Sequence, residues 1–113
     1  MKIEANAKLL TIYVNSTDHY RHQPLYEAIV QLCRERGIAG ATVVRCVEGF
    51  GGSGHLHTSR LLEISENLPV RVEIVDIDER IEPLLALLEP MIGEGLLTIQ
   101  DVCIRRYLHD PKP

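Results

Sequence analysis

A glycine-dense stretch between residues 48 and 60 carries most of the residue types that could do chemistry in this sequence. Glycines stand at positions 49, 51, 52 and 54, directly after a β-rich run that ends at Val47. Consecutive glycines let the main chain adopt positive φ, so that successive N–H groups can point into one concavity and hold phosphate oxygens. The stretch therefore predicts an anion-binding loop. The alternative is that the glycines only permit a mobile hairpin loop.

Arginines supply nearly all of the positive charge that could accompany such a loop. The chain has nine arginines and three lysines. The planar guanidinium group binds phosphate through two parallel hydrogen bonds, which an ammonium group cannot do. The arginines on segments near the loop are Arg45, Arg60, Arg71, Arg105 and Arg106. These side chains are candidate phosphate ligands, and the alternative is that they are solvated.

Two histidines in the same stretch form the best candidate metal pair. His55 and His57 are separated by one residue, so both imidazoles could turn toward one divalent cation. No third ligand stands at a recognisable spacing, because the other histidines lie on distant segments. We expect the pair to be exposed or to contact a ligand phosphate, without a bound metal. Metal binding by the two histidines is the alternative.

The sequence contains no recognisable catalytic motif. The nucleophile elbow of hydrolases and the phosphate-binding loop of nucleotide hydrolases are both missing. Cys33, Cys46 and Cys103 are widely spaced among apolar residues, which favours reduced cysteines that fill space in the core. We therefore assign no catalytic residue and expect no enzyme activity. An enzyme acting on a phosphorylated or nucleotide substrate is a further alternative.

The length and composition are those of one globular domain. The chain has 113 residues, of which 45% are hydrophobic. We expect a single domain over residues 1–113, with a core from about 7 to 107 and a loose tail at 108–113. A formal net charge of -4 and an aromatic share of 4% argue against nucleic acid as a partner. No apolar run is long enough for a membrane span or a signal peptide, so we expect a cytoplasmic protein.

Hydrophobic periodicity predicts four strands and two helices. The second helix has Asp78 as its expected cap and an apolar stripe that reaches Ile92, and Pro90 predicts a kink or an early end. Gly37 is expected to close the first helix. The other expected elements are a strand at 7–14, a helix at 24–36, and strands at 41–47, 68–76 and 97–107. The order β-α-β-β-α-β predicts an α+β, ferredoxin-like fold with both helices on one face of an antiparallel sheet.

The first strand is apolar on both of its faces. Leu10, Ile12 and Val14 alternate with Leu9 and Tyr13. Two helices can cover only one face of a sheet, so the other face is left without a cover. We expect that face to be buried in a homo-oligomer.

Several motifs resemble those of the PII signal-transduction proteins. They are Val47–Gly51 with Gly54 and His55, followed by Asn67–Val75. Further marks are Pro24–Ile29, Gly37–Val43, the glycine loop with His57–Ser59, Leu68-Pro69 and Glu73–Asp76. They are most similar to the PII-like proteins of the domain-of-unknown-function family one-hundred-and-ninety. The resemblance extends from about Leu9 to Tyr107.

This resemblance implies a homotrimer that regulates another protein. In PII proteins the long T-loop, here residues 48 to about 66, docks onto a transporter, channel or enzyme, and clefts between subunits hold an adenine nucleotide such as AMP, ADP or ATP. The positions implied as ligand-binding are Gly49, Phe50, Gly51, Gly54, His55, Arg45, Arg60, Gly93, Gly95, Arg105 and Arg106. The divalent-cation tolerance proteins share the fold, and by that resemblance His55 and His57 would be metal ligands.

Overall fold

The computed structural model describes residues 1–50, 56–58 and 67–110. Short paired strands accompany four longer strands and two helices in this part of the chain. In chain order the elements are β1 (Lys2–Asn15), β2 (His19–Tyr20), β3 (Gln23–Pro24), α1 (Leu25–Glu35), β4 (Gly40–Arg45), β5 (Glu48–Gly49), β6 (His57–Thr58), β7 (Pro69–Asp76), α2 (Asp78–Leu88) and β8 (Leu96–Tyr107).

The four longer strands form one antiparallel sheet in the order β4-β7-β1-β8. With α1 and α2 they give the predicted β-α-β-β-α-β order, and the ferredoxin-like α+β fold is confirmed. The connection between β4 and β7, residues 46–68, includes β5 and β6, which pair with each other. No helix in the described ranges is long and apolar enough to cross a membrane.

The core lies between one face of the sheet and the two helices. Residues that pair across neighbouring strands share a face, and Leu10 pairs with Ile74 as Ile12 pairs with Val72. All four of these side chains have an exposed fraction of 0%. The helical residues that complete the core are Leu25, Ile29, Cys33, Ile81, Leu84 and Leu88.

Specific residues set the ends of the two helices. Gly37 has φ 66°, and Ile38 donates its N–H to the Cys33 carbonyl at 3.0 Å, so the glycine closes α1 as predicted. α2 ends at Leu88, two residues before Pro90, as expected for a residue that cannot donate a backbone hydrogen bond.

The predicted helix cap at Asp78 is wrong. Ile77 occupies the N-cap position, no side chain caps the helix, and Asp78 belongs to its first turn. The carboxylate that binds backbone N–H groups next to the start of α2 is that of Asp76. It is buried and accepts hydrogen bonds from the Ile77 N–H at 2.8 Å and the Ala39 N–H at 2.9 Å. Asp76 ends a strand whose alternate residues face the core, and its side chain therefore lies on the face of the sheet that the helices cover.

β1 begins five residues earlier than the predicted strand. Its first residues, 2–6, pair with 103–107 of β8 in a two-stranded extension that we call the terminal ribbon. The Met1 and Leu108 backbones exchange hydrogen bonds of 2.9 Å, and the Met1 ammonium group lies 2.7 Å from Asp110 Oδ1. The sequence prediction missed this part of β1 because only the alternation of Ile3 and Ala5 with polar residues marks it.

The sheet face opposite the helices is partly apolar and uncovered within one chain. Tyr13 lies on this face with an exposed fraction of 40%, and Leu9 and Val75 beside it are half-buried. Arg71 pairs across the strands with Tyr13, and its Nε lies 3.4 Å from Glu73 Oε1. The helices therefore cover the set with Leu10, Ile12 and Val14, and Leu9 and Tyr13 belong to the uncovered face.

The three cysteines have different environments. Cys33 is buried, Cys46 is half-buried and Cys103 is exposed on the terminal ribbon. The interpretation of the cysteines as space-filling core residues therefore holds for Cys33 and is wrong for Cys103. Its neighbours Val102 and Ile104 are half-buried, and Cys103 lies on the opposite, exposed face of the strand.

Candidate functional site

One end of the sheet collects the glycines that the sequence singles out. Asn15 pairs with Pro69, Arg45 pairs with Val70, and Tyr13 pairs with Leu96, so the ends of β1 and β4 and the beginnings of β7 and β8 meet there. We call this region the loop end. Antiparallel pairing places the β4–β7 connection and the turn before β8 at the same end of the sheet.

Two of these glycines are required by close packing. A Cβ at Gly95 would stand 2.9 Å from the Tyr13 carbonyl oxygen and 3.3 Å from Ile92 Cγ2. A Cβ at Gly49 would stand 3.2 Å from the Pro69 ring. A Cβ at Gly93 would have no heavy atom within 4 Å. The backbone at Gly49 and Gly95 is thus held against neighbouring strands, whereas Gly93 faces open space.

Exposed apolar side chains stand where the β4–β7 connection leaves the sheet. The exposed fraction is 73% for Val47, 72% for Phe50 and 51% for Leu56. The pairing of Gly49 with His57 brings the two branches of the connection together at its base. Large exposed apolar groups at the start of a loop are typical of surfaces that bind another molecule.

Four of the predicted ligand-binding positions lie outside the described residues. They are Gly51, Gly54, His55 and Arg60. His57 is described only through its backbone pairing in β6. Among the described residues, no three His, Cys, Asp or Glu side chains are close enough to hold a metal ion.

Arg105 and Arg106 lie far from the loop end of the same chain. Arg105 comes nine positions after Leu96 on β8, which corresponds to about 30 Å at roughly 3.3 Å per residue. Both arginines are exposed on the terminal ribbon, and Arg105 Nε lies 3.4 Å from Glu4 Oε1. Within one chain, therefore, Gly49, Gly95 and Arg45 come together, and the two ribbon arginines do not join them.

A small hairpin at the loop end was missed in the sequence. β2 and β3 pair through a two-residue turn, in which Arg21 has φ 47° and His22 has φ 70°. Turns of this type prefer Asn-Gly, so the sequence Arg21-His22 gives no turn signal. The polar residues that follow β1, from Asn15 onward, are the only indication of a break that the sequence offers here.

Hydrogen bonds join this hairpin region to the end of the β4–β7 connection. Ser16 donates its N–H to the Leu68 carbonyl at 2.8 Å, and the Ser16 hydroxyl accepts the Leu68 N–H at 2.9 Å. Thr17 Oγ1 donates to Asn67 Oδ1 at 2.8 Å. The connection is therefore anchored at its end by residues that lead into the hairpin.

Two groups away from the loop end have shifted pKa values. Burial raises the pKa of the Cys33 thiol to about 11, which keeps this thiol protonated and unreactive at neutral pH. The pKa of Lys8 is raised by its hydrogen bond to Asp101, with a smaller contribution from Asp78. Neither the Cys33 thiol nor the Lys8 ammonium group lies at the loop end, so neither belongs to the candidate site.

Sequence comparison matches most of the chain to one family. The model of the DUF190 family, described as uncharacterized ACR, matches residues 7–104. A UPF0166 protein of Aquifex aeolicus is 35% identical over 97 residues, which cover 84% of this chain and 90% of that protein.

Structure comparison finds similar folds in proteins of low sequence identity. CPII, a nitrogen regulatory PII-like protein of Thiomonas intermedia solved with ADP, AMP and bicarbonate, superposes with a TM-score of 0.68 at 19% identity, covering 90% of this chain and 91% of that one. A putative PII-like signalling protein of Thermus thermophilus gives a TM-score of 0.64 at 18% identity, covering 89% and 91%. The fold is thus that of the PII-like proteins, and by the family match the chain belongs to the DUF190 family.

Proposed function

We propose that this chain is a PII-like regulatory protein without enzyme activity that acts as a homotrimer in the cytoplasm. Its effector is a small anion, an adenine nucleotide such as AMP, ADP or ATP, bound in clefts between subunits. The β4–β7 connection then acts as a T-loop that regulates a transporter, channel or enzyme. CPII supports the choice of effector, because it has this fold and was solved with ADP, AMP and bicarbonate.

The observation that carries the proposal is the separation of the predicted ligand residues. The loop end offers closely packed glycine backbone at Gly49 and Gly95, with Arg45 nearby, and the terminal ribbon offers Arg105 and Arg106 about 30 Å away. One chain alone cannot place both sets on one phosphate group. A second copy can, if its ribbon reaches the loop end of the first.

The uncovered sheet face provides a reason for the copies to associate. Tyr13 and Leu96 are exposed on it by 40% and 60%, respectively, and the same face of the terminal ribbon carries Ile3, Ala5 and Ile104, with Arg106 beside Ile3. The opposite face of the ribbon is polar, with Lys2, Glu4 and Arg105. A two-stranded ribbon is marginally stable on its own, and burying its apolar face against another copy would stabilise it.

Calorimetric titration of the purified chain with AMP, ADP and ATP tests the nucleotide claim. We expect saturable binding of at least one nucleotide, about tenfold weaker in an Arg105→Ala variant because a charge-assisted hydrogen bond is lost. Glu4→Gln is the matched control, since it breaks the same 3.4 Å ion pair and leaves the guanidinium in place. Absence of binding by the unmodified chain, or equal weakening in both variants, would refute the claim.

A further inference from the structure

The hairpin formed by β2 and β3 lies at the loop end and contains none of the residues proposed to bind the nucleotide. Tyr20 pairs with Gln23, so Arg21 and His22 form its entire turn. The exposed residues of the hairpin are His19, Arg21 and His22, and Tyr20 packs in part against the core.

The turn is occupied by residues that do not favour its geometry. Both central residues of this turn type need positive φ, and they have it, at 47° for Arg21 and 70° for His22. Asn-Gly would adopt the same turn with less strain, because glycine has no Cβ and the short polar side chain of asparagine tolerates the left-handed region. Strained residues that a fold retains are concentrated at binding surfaces. The strain at this turn therefore points to a use for the two side chains.

The chemistry of the turn is cationic. The Arg21 guanidinium carbon lies 5.2 Å from the centroid of the Tyr20 ring, a cation–π contact that limits the freedom of the side chain. No described carboxylate lies within ion-pair distance of Arg21. A preorganised guanidinium in a chain of net charge -4 is a local site of opposite sign.

The shape of the turn distinguishes between two anionic ligands. A two-residue turn at the tip of a hairpin is convex, whereas small-molecule sites are concave and enclose most of their ligand. A convex cationic tip suits an extended acidic segment of a larger molecule. The anchoring of Ser16 and Thr17 to Leu68 and Asn67 also places the hairpin beside the β4–β7 connection, on the same side of the molecule.

We propose that Arg21 and His22 form a second docking surface, which binds an acidic segment of a protein partner. The surface lies beside the base of the T-loop, so a partner that engages the loop can contact both. This proposal goes beyond the nucleotide site and does not depend on it.

Fluorescence anisotropy with a labelled hexaglutamate peptide, at low salt, tests the proposal on the full chain. We expect the unmodified chain to bind the peptide and Arg21→Asn combined with His22→Gly to bind it about tenfold more weakly, because a charge-assisted contact is removed. Arg36→Asn is the matched control. It removes the same charge from an exposed residue at the other end of α1 and should leave binding unchanged.

Thermal unfolding separates loss of binding from loss of folding. The asparagine and glycine introduced by the double substitution relieve the strain of the turn, so the melting temperature of this variant should rise by roughly 3 to 6 °C at equal protein concentration. The proposal would be overturned by a fall in the melting temperature of the double variant, or by absence of peptide binding to the unmodified chain. It would also be overturned if the double variant bound the peptide as well as the unmodified chain does, or if Arg36→Asn weakened binding as much as the double substitution. The double variant should still bind ADP as the unmodified chain does, so failure of nucleotide binding in both leaves this proposal standing.

Discussion

Gly95 lies so close to Tyr13 that a Cβ on the glycine would stand 2.9 Å from the Tyr13 carbonyl oxygen. This contact fixes the turn before β8 against the end of β1, and Gly49 is packed in a similar way against Pro69 at the start of β7. The backbone of the loop end is thus closely packed at Gly95, where a residue with a side chain would not fit without a shift.

Gly95→Ala should destabilise the protein. The added methyl group meets backbone and not the end of a flexible side chain, so we expect a loss of about 1–3 kcal/mol in the free energy of unfolding, measured by urea denaturation. Gly93→Ala is the control. Its Cβ meets nothing within 4 Å, and its effect should stay within about 0.5 kcal/mol. Equal effects of the two substitutions would show that the close approach does not matter.

The buried thiol of Cys33 predicts a loss of stability in alkaline solution. Its pKa is raised from 9.0 to about 11 in the folded chain, so between these values the folded state binds more protons than the unfolded state. This contribution is fully present below pH 9 and falls by roughly 1.4 kcal/mol per pH unit until about pH 11.

Denaturation of the unmodified chain and of Cys33→Ala, measured between pH 8 and about 11, checks this prediction. The alanine variant loses a buried group and is less stable below pH 9, and the difference between the two proteins should shrink as the pH rises. A constant difference would contradict the assignment of the alkaline loss to Cys33.

The uncovered sheet face predicts how the oligomer can be broken. Tyr13→Glu introduces a charge into a face that the proposed trimer buries. The cost of removing this charge from water exceeds the gain from its pairing with Arg71, so we expect a monomer in light scattering at micromolar concentration. Val43→Glu is the matched control, because Val43 is exposed to a similar extent, 38% against 40%, but lies on the other face of the sheet. Dissociation by both variants, or by Val43→Glu alone, would place the interface elsewhere.

Much of the fold was predictable because its elements carry local signals. The apolar alternation of β7, the closing Gly37 of α1 and the position of Pro90 after α2 each depend on neighbours in the sequence. These signals gave the β-α-β-β-α-β order and the uncovered sheet face. The family motifs added the relation to PII-like proteins.

The missed features depend on contacts between distant residues. The first five residues of β1 are a strand only because they pair with the end of β8. The turn at Arg21 and His22 lacks the residues that usually form such turns. At the start of α2, Ile77 holds the cap position predicted for Asp78, and Asp76 accepts the Ile77 N–H. The distance between Gly95 and Arg105 follows from the length of β8, whereas the packing of Gly49 against Pro69 depends on contacts that the sequence alone does not specify.

Mixing two defective variants shows whether the nucleotide cleft is completed between copies of the chain. One variant, Arg45→Glu, alters the loop end, and the other, Arg105→Glu combined with Arg106→Glu, alters the terminal ribbon. Each alone should bind ADP poorly. After the two are unfolded and refolded together in equal amounts, about a quarter of all sites combine an intact loop end with an intact ribbon. We expect ADP binding to recover to about that fraction by calorimetry, whereas no recovery on refolding together would show that the cleft is not shared between copies.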